Sequence, residues 1–168
     1  MTAAGDAAIA SRLVARLTAE GRSLAVAESL TGGAVLAELV SVPGASLVVR
    51  GGVVAYDTAL KESLLGVPRG VLEANGPVHP EVASAMAEGV RTAAAIGGHP
   101  ADLGLATTGV AGPDPQAGAP VGLVYIAVAD AAGTTVREHR FAGDRATIRA
   151  QAARAALDLL DAVLSRSR

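Results

Sequence analysis

The segment LAVAESLTGGAVLAELV, residues 24–40, decides the fold of this chain. Its first four residues form a short apolar run that is typical of a buried strand, and residues 31–40 carry apolar side chains at helical spacing. Between them lies a polar turn with Ser29 and a pair of glycines. A strand that leads directly into a helix is a building unit of α/β proteins, so this junction indicates that fold class.

Helices and apolar strands alternate along the rest of the chain. We predict helices over residues 7–19 and 80–96, where apolar residues recur about every 3.6 positions. Asp57 is predicted to cap a short helix that ends at Leu65, and Asp144 is predicted to cap the last helix.

Four further segments are predicted to contribute strands: residues 47–56, 103–107, 121–129 and 134–141. The first of them contains Gly51 and Gly52 and is read as one bent strand or a hairpin, while residues 66–75 are predicted to be irregular. The pattern predicts a three-layer α/β/α sandwich around a mostly parallel, mixed sheet.

Length and composition restrict the classes of function. The net charge of −2 and the three aromatic residues argue against the basic face and the stacking platform of a nucleic-acid-binding protein. No stretch approaches about 20 apolar residues, and the first residues lack the apolar core of a signal peptide. We expect one domain, residues 1–168, that is cytoplasmic and has no nucleic-acid or membrane partner.

Metal and thiol chemistry find little support in the sequence. The chain has no cysteine, which excludes a thiol nucleophile and thiolate metal ligands. Its histidines, His79, His99 and His139, show no metal-ligand spacing. We therefore expect no metal site.

Lys61 is the only lysine among fourteen lysine and arginine residues. A GC-rich genome would produce the same bias by replacing lysine codons. Alternatively, arginine is unacceptable at this position, because arginine keeps its proton in a protein whereas a buried lysine can lose it. Lys61 is therefore a candidate base.

Two of the segments predicted at the carboxyl ends of strands, where α/β sheets bind ligands, carry candidate catalytic residues. Ser29 in the polar turn is a candidate nucleophile or part of an anion cradle; alternatively, Ser29 or Thr31 caps the following helix. Tyr56 precedes Lys61 by five residues, and both side chains can face the same crevice. The alternatives are a core aromatic residue and a solvated lysine.

A third segment and a pair of arginines complete the candidate site. Residues 107–113 form a glycine-rich loop whose N–H groups can bind a phosphate or an oxyanion, or which is a plain turn. Arg145 and Arg149 lie one helical turn apart and can clamp a phosphate, although such residues more often form a solvated helix face.

Several short blocks follow one another along the chain: AESLTGG at 27–33, VPGAS at 42–46, GGVVAY at 51–56, Lys61, LLGV at 64–67, GPV at 76–78, TGVAGP at 108–113, PVG at 120–122 and GDR at 143–145. Together they resemble the CinA C-terminal domain family over nearly the whole chain. The chain departs from the family pattern at Leu30, where cysteine is frequent, at residues 57–60 and at Ala119, where many members have lysine.

The resemblance implies a three-layer α/β/α fold and hydrolysis of the carboxamide of nicotinamide mononucleotide, giving nicotinic acid mononucleotide and ammonia. It also implies a metal-free serine mechanism without a cofactor, in which Ser29, Tyr56 and Lys61 correspond to the family's serine, tyrosine and lysine. We expect a small-molecule nucleotide as substrate and a homo-oligomer, of which the dimer is the commonest form.

In the expected mechanism, neutral Lys61 takes the proton of Ser29 as the hydroxyl attacks the amide, while Tyr56 relays the proton or holds the array. The pKa of Lys61 must then fall to about 7–8. Backbone N–H groups near Thr108 and Gly109, or at Gly32 and Gly33, are expected to receive the oxyanion. The residues expected to contact substrate are Thr31, Gly32, Gly33, Thr108, Gly109, Gly112, Arg145 and Arg149.

Two hypotheses compete with hydrolysis of nicotinamide mononucleotide. One is a non-catalytic nucleotide-binding or partner-binding domain of the same fold. The other is hydrolysis of a different small amide.

Overall fold

The computed structural model describes residues 3–166, with side chains from Ala8 onward. Within these residues the elements in chain order are α1 (Ala3–Glu20), β1 (Leu24–Glu28), α2 (Ala34–Val40), β2 (Val49–Val54), α3 (Thr58–Leu65), α4 (Arg69–Asn75), α5 (Pro80–Ala93), β3 (Leu103–Gly109), β4 (Leu123–Asp130), β5 (Gly133–Arg140) and α6 (Arg145–Arg166). A 3₁₀ turn, Ala45–Leu47, precedes β2.

The strands form one mixed sheet in the order β2-β1-β3-β4-β5. β1 is parallel to β2 and to β3, whereas β4 is antiparallel to β3 and to β5. The parallel part therefore consists of β2, β1 and β3, and it carries the segments predicted to hold the site. This arrangement confirms the predicted mixed sheet.

β2 is one strand with a local irregularity rather than a hairpin. Leu24 pairs with Val49 and Ala25 pairs with Gly51, so Arg50 is an extra residue in β2. A Cβ on Gly52 would lie 2.6 Å from the carbonyl oxygen of Val26. The glycine therefore allows β2 and β1 to approach closely.

The two faces of the sheet carry side chains of different size. In β1, Leu24 and Val26 pack in the core formed with α1, α2 and α6, whereas Ala25 and Ala27 pack in the core formed with α5. Successive side chains of a strand point to opposite faces, so helices cover both sides of the sheet. The predicted three-layer architecture is confirmed. In the described part of the chain, no helix has the length and apolar character needed to cross a membrane.

Helix α5 lies unusually close to its neighbours because of two glycines. A Cβ on Gly104 of β3 would lie 1.9 Å from the carbonyl oxygen of Ala87, and a Cβ on Gly89 would lie 1.7 Å from the carbonyl oxygen of Leu65. Neither position accepts a side chain without a shift of backbone. α5 therefore packs directly against the backbone of β3 and of the end of α3.

The region between α3 and α5 differs from the prediction. Residues 66–75, predicted to be irregular, contain α4. Gly66 ends α3 in the left-handed conformation, with φ of 65°, and Pro68 immediately precedes α4. These residues end one helix and begin the next, as glycine after a helix and proline at its start commonly do. The predicted cap of α3 is confirmed, since Asp57 accepts a hydrogen bond from the N–H of Ala59 at 2.8 Å.

Candidate active site

A pocket lies at the carboxyl ends of the parallel strands. It contains seven of the residues predicted for the site: Ser29, Tyr56, Lys61, Thr108, Gly109, Gly112 and Arg145. Ser29 follows β1, Tyr56 follows β2, and Gly109 ends β3. Because parallel strands end at the same edge of the sheet, the fold brings these distant segments together.

Lys61 is buried in this pocket and is 1 % exposed, so the alternative of a solvated lysine is wrong. Its Nζ donates to the carbonyl oxygen of Ala55 at 3.3 Å and contacts Sδ of Met86 at 3.6 Å. Among the described residues, no carboxylate pairs with this amine. Burial lowers the pKa of Lys61 from 10.5 to about 8. About a tenth of the molecules then hold a neutral amine at pH 7.

Ser29 lines the same pocket at the end of β1, where its N–H donates to the carbonyl oxygen of Thr107 at 3.0 Å. The residue that caps α2 is Gly33, without a side-chain hydrogen bond, so the alternative that Ser29 or Thr31 caps this helix is wrong. The buried hydroxyl of Thr31 instead shares a hydrogen bond of 2.8 Å with that of Thr107. Ser29 therefore has no role as a helix cap.

The carboxylate of Glu28 lies at the start of α2, where the sequence predicted that an anionic ligand could bind. This buried carboxylate accepts hydrogen bonds from the N–H groups of Gly33 at 2.9 Å, Val35 at 3.2 Å and Leu36 at 2.9 Å. The N–H of Gly32 donates to the carbonyl oxygen of Ser29 at 3.1 Å. The structure therefore does not bring the N–H groups of Gly32 and Gly33 to the pocket as donors. The signal for Glu28 was an acidic residue just before a helix start.

Other backbone donors follow Ser29 directly in the chain: Leu30 lines the pocket, whereas Thr31 is buried and is not among the lining residues. Within the described chain, the N–H groups of Leu30 and Thr31 have no protein acceptor. The N–H of Val110 donates across the antiparallel ladder to Leu123. Because successive residues of a strand donate to opposite sides, the N–H of Gly109 points towards the β1 side, past the end of β1.

Thr108 lines the pocket, but its hydroxyl is already hydrogen-bonded within the fold. Its buried hydroxyl donates to the carbonyl oxygen of Pro77 at 2.7 Å. This hydrogen bond ties β3 to the segment that precedes α5.

Tyr56 and Arg145 form a linked pair beside the pocket. Nη2 of Arg145 donates to the Tyr56 hydroxyl at 2.7 Å, and Nη1 donates to the carbonyl oxygen of Gly112 at 2.8 Å. Tyr56 is 59 % exposed, so the alternative of a core aromatic residue is wrong. Arg145 therefore joins the end of β2 to the glycine-rich loop.

Arg149 is placed differently from Arg145. Its Nε donates to the carbonyl oxygen of Leu30 at 2.9 Å, and its Nη2 donates to that of Thr31 at 2.8 Å. Arg149 is not among the residues that line the pocket. The structure thus does not bring the two arginines together as a clamp on one ligand.

The pocket also contains residues that the sequence did not single out. Thr58, Asp114 and Gln116 line it, the last two from the loop after β3. Asp114 and Gln116 had only their position in the loop as a signal. Thr58 also stands three residues before Lys61 in a T-x-x-K pattern, but the companion motifs of serine–lysine enzymes are missing. In the part of the chain that the structure describes, no three His, Cys, Asp or Glu side chains converge as a metal site.

The fold and the pocket define an α/β protein whose ligand site lies where its parallel strands end, with a buried lysine and a serine among the lining residues. Residues 6–164 match the family model of the CinA C-terminal domain. The chain belongs to the CinA C-terminal domain family.

Individual relatives agree with this assignment. The chain is 49 % identical over 149 residues to a CinA-like protein of Frankia casuarinae, covering 89 % of this chain and 33 % of that protein. The chain thus spans about a third of the length of this curated relative.

Solved structures show the same fold. The competence/damage inducible protein CihA of Agrobacterium tumefaciens superposes with a TM-score of 0.86 at 34 % identity, covering 94 % of both chains. A CinA superfamily protein of Klebsiella pneumoniae gives a TM-score of 0.89 at 30 % identity, covering 96 % of this chain and 98 % of that one.

Proposed function

We propose that this domain hydrolyses the carboxamide of nicotinamide mononucleotide to nicotinic acid mononucleotide and ammonia. The observation that carries the proposal is the state of Lys61, a fully buried amine without a carboxylate partner among the described residues, in one pocket with Ser29. Lysine that is neutral near physiological pH is the form that acts as a general base. The choice of nicotinamide mononucleotide as substrate rests on the resemblance to the CinA C-terminal domain family.

The acylation step uses Lys61 as base and then as acid. Neutral Nζ takes the proton of Ser29 Oγ as Oγ attacks the carboxamide carbon. As the C–N bond breaks, Lys61 returns the proton to the departing nitrogen, which leaves as ammonia. Water, deprotonated by the same amine, then attacks the acyl carbon. As the C–Oγ bond breaks, Lys61 returns the proton to Ser29 Oγ and nicotinic acid mononucleotide leaves.

Backbone N–H groups stabilise the oxyanion in this proposal. The unpaired N–H groups of Leu30 and Thr31, next to Ser29 in the chain, are the first candidates, and the N–H of Gly109 faces the same side. This assignment replaces Gly32 and Gly33, whose N–H groups bond within the turn and to Glu28. The donor of Thr108 is part of the strand ladder by the same alternation.

Tyr56 and Arg145 hold the nucleotide in this proposal. Arg145 uses two donors on Tyr56 and Gly112, and its guanidinium has five, so others remain for a phosphate. The contact with Arg145 also fixes Tyr56, which favours the holding role of the tyrosine over proton relay.

Replacement of Arg145 tests the phosphate contact. Arg145→Ala should raise KM for nicotinamide mononucleotide about 10-fold while KM for nicotinamide riboside, which lacks the phosphate, changes less. Steady-state ammonia release on both substrates measures this. An equal rise on both substrates would remove Arg145 as the phosphate ligand.

The activity itself is tested by incubating the purified protein with nicotinamide mononucleotide. We expect stoichiometric ammonia and nicotinic acid mononucleotide, measured by a coupled ammonia assay and by chromatography, and none from the Ser29→Ala variant. Binding of the nucleotide without ammonia would identify a non-catalytic module. Ammonia from free nicotinamide but not from the nucleotide would indicate a different small-amide substrate.

A further inference from the structure

We propose that Glu28 and Arg149 are positioning residues that hold the Ser29 turn from opposite sides and keep its N–H groups free for the oxyanion. The catalytic consequence rests on the proposed amidase function. The structural part, a turn fixed by one carboxylate and one guanidinium, stands on the hydrogen bonds alone.

The polar groups of the turn are almost fully paired. The carbonyl oxygens of Leu30 and Thr31 accept from Arg149, and that of Ser29 accepts from the N–H of Gly32. On the donor side, the Ser29 N–H is bound to Thr107. Among the described residues of the turn, only the N–H groups of Leu30 and Thr31 are left without an acceptor.

Arg149 determines the direction of one of these donors. The carbonyl of Leu30 and the N–H of Thr31 belong to the same peptide unit, and in a trans peptide they point in opposite directions. Because Nε of Arg149 holds the Leu30 oxygen at 2.9 Å, the Thr31 N–H is directed away from Arg149. Loss of this hydrogen bond would free the peptide plane to rotate.

Glu28 fixes the other side of the turn. Its carboxylate binds the N–H groups of Gly33, Val35 and Leu36, which anchors the start of α2 to the end of β1. Ser29 directly follows Glu28, so the same contacts fix where the serine leaves the strand. Glu28 binds N–H groups and Arg149 binds carbonyl oxygens, so the two side chains together restrict the turn to one backbone conformation.

Arg149→Met is the direct test, with Arg154→Met as the matched control. Arg154 lies on the same helix, and its Nε pairs with the exposed Asp158 at 3.1 Å. For nicotinamide mononucleotide we expect Arg149→Met to lower kcat about 30-fold with KM within about 3-fold, because misplacement of an oxyanion donor affects the transition state. Nicotinamide riboside should lose kcat by the same factor. The control should retain wild-type kcat and KM.

Two further measurements separate positioning from general damage. Millimolar guanidinium should restore part of kcat in Arg149→Ala, since the small cation can occupy the vacated space. Glu28→Gln, which keeps the size but not the charge of the side chain, should lower kcat in the same KM-independent way in the fraction that remains folded.

Outcomes distinguish this proposal from the amidase proposal. With the amides of α5 as reference, hydrogen exchange of the Gly32 and Gly33 amides, which donate to the Ser29 carbonyl oxygen and to Glu28, reports the order of the turn without any substrate. If the wild type releases no ammonia but exchange of these amides rises in Arg149→Met, the amidase function fails and the positioning stands. Unchanged exchange together with unchanged kcat would overturn the positioning. A rise in KM for the nucleotide alone would instead make Arg149 a phosphate ligand.

Discussion

Glu28 at the end of β1 and Lys61 in α3 are each 1 % exposed, yet their surroundings differ sharply. The Glu28 carboxylate accepts three backbone N–H groups at 2.9–3.2 Å. The Lys61 amine has only a carbonyl oxygen at 3.3 Å and a thioether sulfur at 3.6 Å among its described partners. Burial alone therefore does not decide what an ionisable group does; the number and quality of its partners decide it.

The difference has a chemical meaning. For a buried carboxylate that accepts several backbone hydrogen bonds, these bonds replace the lost contacts with water, and the group serves the structure. When a buried amine has only weak partners, its charge destabilises the folded protein. Such an amine therefore loses its proton more readily. Glu28 therefore belongs to the scaffold of the turn, whereas the weak partners of Lys61 are what the proposed role in proton transfer requires.

The largest expected effect is the loss of activity in Lys61→Arg. Arginine keeps the charge but cannot release its proton, so kcat should fall by about 1,000-fold, within the range that general bases contribute. Ammonia release from nicotinamide mononucleotide measures the loss, with the thermal unfolding temperature as control for folding. Turnover close to that of the wild type would refute Lys61 as the base.

The next largest effect is expected on stability, when Glu28 is replaced. Glu28→Ala leaves three N–H groups, one buried and two part-buried, without an acceptor and should lower the free energy of unfolding by about 4 kcal/mol. Urea unfolding measures the change. The control is Glu73→Ala, at an exposed carboxylate of α4, which should change stability by less than about 0.5 kcal/mol. Equal effects of the two substitutions would show that the Glu28 contacts contribute nothing special.

Lys61→Met should raise the free energy of unfolding, by somewhat less than Glu28→Ala lowers it. The pKa of Lys61 is about 8 in the folded protein and 10.5 without burial, so the unfolded chain binds the proton more tightly. Wild-type stability should therefore rise with pH between these values, and the substitution should stabilise the protein by up to about 3 kcal/mol at pH 7.

Urea unfolding of the wild type and Lys61→Met at pH 7 and at pH 10 tests this sign. The advantage of the variant should shrink at the higher pH, because the wild-type amine is then neutral in the folded state. A variant that is less stable than the wild type at pH 7 would show that the packing of the lysine stem outweighs its desolvation.

The residues that meet in the pocket were predictable where local sequence determines them. Ser29 and Tyr56 each follow the end of a strand, Lys61 lies one turn into α3, and the family blocks supported the same positions. The cap at Asp57 followed from residue type and position alone. The composition singled out the lone lysine as a candidate base, and its burial excludes the alternative of a solvated residue.

Other features depend on contacts between distant segments, which one sequence does not reveal. Arg149 lies one turn beyond Arg145, but the packing of α6 against the Ser29 turn directs it to the Leu30 and Thr31 carbonyls. Glu28 likewise binds a helix five to eight residues away in sequence. Its role depends on the path of the backbone through the turn.

The depth at which the Lys61 amine sits is fixed from outside the pocket. Gly89 of α5 faces the end of α3, where even a methyl group would overlap the Leu65 oxygen. Met86, one turn earlier on α5, contacts the amine. An added carbon at position 89 should move the end of α3 away from α5 and weaken the burial that lowers the pKa of Lys61. The absence of a side chain at Gly89 thus contributes to the acidity of the ammonium group.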